Sequence, residues 1–398
     1  MQRVNYIFGL LALFLVISCE KPFVPELPFG NKNFLVVDGF INTGADSTII
    51  KISRTVEIGD TLGGKTVTGA TVKVESDANE VYTLTEMAGG IYYSPNLNLS
   101  QAKRYRVRIQ TSGEEVLSDF VESKVSPPIG DLKYTIETDK IKFSLDTSDP
   151  TVKSRYYKWD YVETWLFQSQ IRSYYKWDGQ KVVPRNMVTD DVFYCYPTYG
   201  SKRVIIANTL RLAEDVVKDQ PILEILSTNE RLYEEYSVIV NQRVLTKEAY
   251  EFWETVRKTT ETTGTIFDVQ PSDLTGNIKN IKNPGEPVVG FISAGTVTSK
   301  RVSFNRRVIP VDWEKIPPPY RCGLTIAWTF EDHPEAPPTI PFPYVYGPDY
   351  YNLKGPLRLV PVDVSRGFLP DPLAYSAFPA NCVDCTFRGT NVKPSFFP

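Results

Sequence analysis

The sequence predicts a mainly β protein: an N-terminal immunoglobulin-like or transthyretin-like sandwich, a second β-rich domain with a short helical insertion, and an irregular proline-rich C-terminal segment. Three observations carry this. Apolar and polar residues alternate with a period of two in the N-terminal third, the pattern of half-buried strands. Gly, Asn, Asp and Ser turns separate those runs at short intervals. The last 89 residues hold 17 of the 30 prolines, which lack ladder donors and break regular structure.

The chain opens with Arg3 and an apolar run of 12 residues from Tyr6 to Ile17. A bilayer span needs about 20, so this reads as a signal peptide over 1–18. Ser18-Cys19 follows, a small residue and then a thiol. The expectation is a lipoprotein in which Cys19 becomes the acylated N-terminus, each buried CH₂ contributing about 0.8 kcal/mol to membrane attachment. An ordinary secretory leader is the competing reading. Pro22, Pro25 and Pro28 bias 19–33 toward an extended tether.

Over 34–126 the sandwich is expected. Ala70, Val72 and Val74 alternate with Thr71, Lys73 and Glu75; Tyr105, Val107 and Ile109 alternate with Arg106, Arg108 and Gln110. Further strands are predicted at Phe34–Phe40, Thr48–Arg54, Val81–Thr85 and Glu115–Glu122. Ser126-Pro127-Pro128-Ile129-Gly130 reads as a linker.

The second domain is expected over 130–309. Thirteen of the 50 aromatic residues fall between Tyr156 and Tyr199, and Tyr-Tyr-Lys-Trp-Asp occurs at 156–160 and again at 174–178. On an extended strand Tyr157, Trp159 and Tyr161 share a face, Asp178-Gly179 suits a hairpin turn, and Tyr175 and Trp177 of the second repeat are further candidates for a ligand or partner surface. Such rings form either a stacking platform for a ligand or protein partner, or core. Thr246 begins a helix over about 246–260, with Tyr250, Trp253 and Val256 at helical spacing. Leu210–Val217 is expected as a shorter helix, and strands are predicted at Val288–Ser293 and Thr296–Phe304.

The segment 310–398 is expected to wrap onto the domains. An exported chain favours disulfides, and Cys195, Cys322, Cys382 and Cys385 allow three pairings. Cys382-x-x-Cys385 lacks both the strand–helix context of a redox pair and the second CxxC of a four-thiolate zinc site.

Chemistry is narrowed by what the composition lacks. A net charge of −3 gives no basic excess for nucleic acid. One histidine, His333, forbids two-histidine metal sites within the chain. No metal and no cofactor is expected. Catalysis without histidine would fall to paired carboxylates on a glycan, but Asp190-Asp191 and Glu234-Glu235 are neighbours whose side chains diverge on a strand.

Three stretches carry a resemblance. They are Ser18-Cys19-Glu20-Lys21-Pro22-Phe23 leading to Phe34-Leu35-Val36-Val37-Asp38-Gly39; Glu248-Ala249-Tyr250-Glu251-Phe252-Trp253 with Gly264-Thr265-Ile266-Phe267-Asp268; and Cys382 to Pro394. Together they resemble Bacteroidota outer-membrane lipoproteins bearing domain of unknown function 4249, over essentially the whole mature chain. Where that family closes on Lys-Pro-x-Phe-Trp, this sequence has Phe397 in the indole's place. The resemblance implies an accessory or ligand-capturing partner of a TonB-dependent transporter on the cell surface, without catalytic residues. A glycan-active enzyme and a structural or adhesive surface protein are the alternatives.

Overall fold

A computed structural model describes residues 33–56, 64–178, 182–261, 275–315, 322–323, 325–328, 359–365 and 374–397. Cys19, His333, the turn at Gly179 and Gly264–Asp268 lie outside them. The architecture is mainly β, as expected.

In the first sandwich Leu35–Asn42 pairs antiparallel with Thr48–Arg54, which pairs onward with Ile91–Ser94. Thr71–Ser76 pairs with Arg104–Gln110, which also pairs with Glu115–Ser118 and Val121–Lys124. The predicted Glu115–Glu122 run is thus interrupted at Asp119-Phe120. The alternation operates as anticipated: Val72, Val74, Tyr105, Val107 and Ile109 are buried. On the opposite face Glu75 bridges Arg106 and Arg108 at 2.6 and 2.5 Å.

The chain does not finish this sandwich in order. Thr275–Asn280 pairs with Glu115–Ser118, and Ser293–Gly295 runs parallel between Leu35–Asn42 and Val121–Lys124. The sequence division at 130–309 assigned this return to the second domain; the pairing puts it in the first sheet. Close backbone approach makes that possible. Gly290 has φ 139°, and a Cβ there would stand 2.0 Å from the Val37 carbonyl oxygen. The expected linker is packed too: Ser126 Oγ donates to Thr296 O at 2.7 Å and accepts from Val244 N at 3.0 Å.

The second sandwich sets Tyr156–Trp165, Glu235–Val244 and Thr298–Asn305 against Ile129–Ile136, Lys140–Ser148 and Val216–Leu226. Phe143 and Tyr236 meet between them, ring centroids 5.5 Å apart. The helix forms over Lys247–Glu261, with Thr246 Oγ1 accepting from Ala249 N at 3.2 Å. Leu210–Val217 is no helix. It is a turn entering the strand Val216–Leu226, because buried Asp215 accepts from Thr209 Oγ1, Arg155 N and Tyr157 Oη at 2.7, 2.9 and 3.0 Å.

The C-terminal segment is more regular than its prolines suggest. Thr325–Trp328, Ala374–Pro379 and Leu359–Ser365 form a small antiparallel sheet, with Pro361 at a register shift where a missing donor costs least. Disulfides join Cys195 to Cys385 and Cys322 to Cys382, so neither bridge closes the CxxC on itself. The segment does wrap: Cys385 N donates to Val192 O at 2.9 Å, Arg388 pairs with Glu230, and buried Phe397 lies 5.4 Å from the Tyr196 ring. Phe397 therefore fills an aromatic slot without an indole.

Candidate functional site

Tyr156–Trp165 is an interior strand, paired on one side with Glu235–Val244 and on the other with Thr198–Gly200 and Ile205–Asn208. Its odd-numbered face turns into the sandwich. Tyr157 and Trp159 are fully buried, stacked at 5.6 Å, and their polar atoms are used inside: Trp159 Nε1 donates to Gln242 Oε1 at 2.9 Å. As candidate surface residues they are corrected to core. The facing sheet covers them, and burying two large rings outweighs leaving them wet. Tyr161 is half-buried against the same core. Tyr175 is half-buried on a separate hairpin, Tyr175–Trp177 with Val182–Pro184, and the Trp177 side chain lies outside the described residues. Among the described residues the predicted platform is not assembled.

The same alternation delivers the even-numbered residues to the other face. There Lys158 and Asp160 enter a cleft of about 610 Å³ between the first sandwich, the second sandwich and the helix. Phe40, Trp253 and Phe291 supply aromatic surface, and Asp38 stands exposed on the rim. Trp253 is held there by its helix: Tyr250, one turn earlier, packs 5.2 Å from Tyr156, and Phe252 packs 5.5 Å from Phe291.

Register explains the electrostatics. Lys158 stands directly opposite Arg243, and Asp160 opposite Asn241. Like charges in facing positions destabilise a sheet, so the pair needs compensation. Asp160 provides part of it, accepting from Arg243 Nη1 and from Asn241 Nδ2, the latter at 2.8 Å. The rings provide more: Lys158 Nζ lies 4.1 Å from the Trp253 centroid, and the Arg243 guanidinium 5.1 Å from Phe40. Burial, followed by the charge of Arg243, pushes the Lys158 ammonium down to about 8 against the opposing pull of Asp38. Burial also lowers Arg243. Shifted groups lining a cleft beside a specific charge partner make it a candidate functional site.

A family model for a domain of unknown function, DUF4249, matches residues 20–301, well over half of the 398 residues. The chain belongs to the DUF4249 family. The match stops short of Cys382 to Pro394, so the C-terminal stretch of the resemblance lies outside it, while every cleft residue named above lies inside. Searched against curated proteins, this DUF4249 chain finds no match.

Sequence reasoning missed Lys158, Arg243, Trp253 and Phe40 as a group. Lys158 and Asp160 were visible as the polar members of the first repeat, but nothing in the sequence announces that Phe40 or Arg243 lies opposite them. Three of the four acids considered for hydrolysis are engaged by cations: Asp190 by Lys176 and Arg185 at 2.6 and 3.2 Å, Asp191 by Arg172 at 3.5 Å, and Glu234 by Lys315. Among the described residues no group of three or more His, Cys, Asp or Glu side chains could hold a metal, and no helix is long and apolar enough to cross a membrane.

Proposed function

We propose that this DUF4249 chain is a non-catalytic outer-membrane lipoprotein of the Bacteroidota type, anchored through acylated Cys19, that captures a ligand on the cell surface for a TonB-dependent transporter. The cleft between the two sandwiches is the observation that carries the reading. Its size suits a small molecule, and its walls combine aromatic faces with a half-buried lysine. A spacer or adhesin has no use for facing cations in a walled cleft, which sets the structural alternative second. The leader and Ser18-Cys19 support the anchor.

The test is purification of the native protein from membranes in mild detergent, followed by mass spectrometry. Co-purification with a transporter barrel and acylation lost in Cys19→Ser are expected. Recovery as an unacylated monomer without a barrel overturns the reading.

A further inference from the structure

Among the described residues the Lys158 ammonium has no carboxylate within ion-pairing distance, and Arg243 Nε is buried with no hydrogen-bond partner. Of the acids near them, Asp160 accepts through both carboxylate oxygens, and Asp38 stands exposed on the rim outside ion-pairing distance of Lys158. Asp46 Oδ1, on the first sandwich, accepts from its neighbour Ser47 N at 2.7 Å. A buried donor without a partner costs free energy that an incoming acceptor recovers. Two facing cations cost more, and an anion between them relieves both penalties at once. Trp253 and Phe40 lie against those cations and line the same cleft, and their ring surface favours a flat apolar group over a fully hydrated ion.

We infer that the cleft receives an organic carboxylate with a planar apolar flank, its oxygens accepting from Lys158 Nζ and Arg243 Nε and its flank against Trp253 and Phe40. The inference rests on the capture reading above and names its ligand class. The carboxylate could belong to a free small molecule or to the C-terminus of a peptide, and the probes separate these.

The experiment titrates the full mature protein with 3-phenylpropanoate, 3-phenylpropanamide, and the tripeptide Ala-Ala-Phe with a free or an amidated C-terminus, following Trp253 fluorescence with Trp253→Phe as the blank. A carboxylate should bind at least about tenfold tighter than its amide, the ratio worth about 1.4 kcal/mol. Whichever acid shows that ratio, free or peptidic, identifies the source. Lys158→Met should narrow the ratio of acid to amide to what Arg243 alone sustains, whereas Lys158→Arg and the rim substitution Lys51→Met should preserve the full preference. Equal binding of acid and amide overturns the ligand class while leaving capture intact. A preference undiminished in Lys158→Met overturns the assigned contact. No binding by any probe overturns capture in this cleft, and co-purification with a barrel would then still sustain the accessory role.

Discussion

Lys158 and Trp253 meet across the cleft, ammonium over indole at 4.1 Å from the ring centroid. The contact ties the central strand of the second sandwich to the helix Lys247–Glu261. Partly desolvated contacts of this type contribute about 0.5–2 kcal/mol. Trp253→Ala should therefore lower stability by about 1–3 kcal/mol once lost packing is added. Urea unfolding measures the loss, and hydrogen exchange should show the helix amides opening earlier than those of Glu235–Val244.

The lowered lysine makes stability depend on alkaline pH. Between about 8 and the ordinary 10.5 the unfolded chain binds more protons at Lys158 than the folded one. Its contribution to stability thus rises with pH through that window and is least favourable below it. Burial sets most of this shift, Arg243 adds to it and Asp38 opposes it, with Asp160, Asp46, Lys202 and Arg203 also facing the cleft. Lys158→Met should flatten the rise and be more stable at pH 7 by on the order of 1 kcal/mol after solvent screening. A variant with an unchanged pH slope would show that another group titrates there.

Asp149 works in the opposite direction. Burial raises its carboxyl, but hydrogen bonds from Thr151 and Ser154, side chain and backbone, and from Lys153 N outweigh burial and hold it at about 2. Its stabilisation is complete above the ordinary 3.8 and is lost as pH falls through about 2. Asp149→Asn should cost about 1–3 kcal/mol at neutral pH and blunt acid unfolding in that window, read by circular dichroism.

Core and hairpin aromatics should separate sharply. Trp159→Ala opens a cavity in the sandwich and should cost about 3–5 kcal/mol. Tyr175→Ala, half-buried on its hairpin, should cost about 1 kcal/mol or less. Thermal melts of the two variants decide it; similar losses would contradict the burial difference.

The Cys195–Cys385 bridge joins residues 190 apart and lies in the second core. Replacing both with Ala should lower stability by about 2–5 kcal/mol. It should also expose the peptide after Arg388 to trypsin, since the pairing of Arg388 with Glu230 is too weak alone to keep the segment docked. Resistance equal to wild type would mean that Phe397 and the remaining contacts hold the segment without the bridge.

Local pattern determined much of this protein. Alternation at 70–75 and 105–110 named the buried positions, Thr246 and the Tyr250–Trp253 spacing named the helix, and an even number of cysteines beyond Cys19 pointed to two bridges, because each signal acts within a few residues or by simple pairing. Local pattern failed where a distant partner decided. Whether Tyr157 and Trp159 faced ligand or core depended on the strands Lys140–Ser148 and Val216–Leu226 lying over them, since an amphipathic ring suits either place. The pairing of four cysteines, and the return of 275–295 to complete the first sheet, were equally invisible. Only the tertiary structure set Lys158 opposite Arg243 and brought Phe40 and Trp253 over them, because strand register and domain packing join residues that no local periodicity relates.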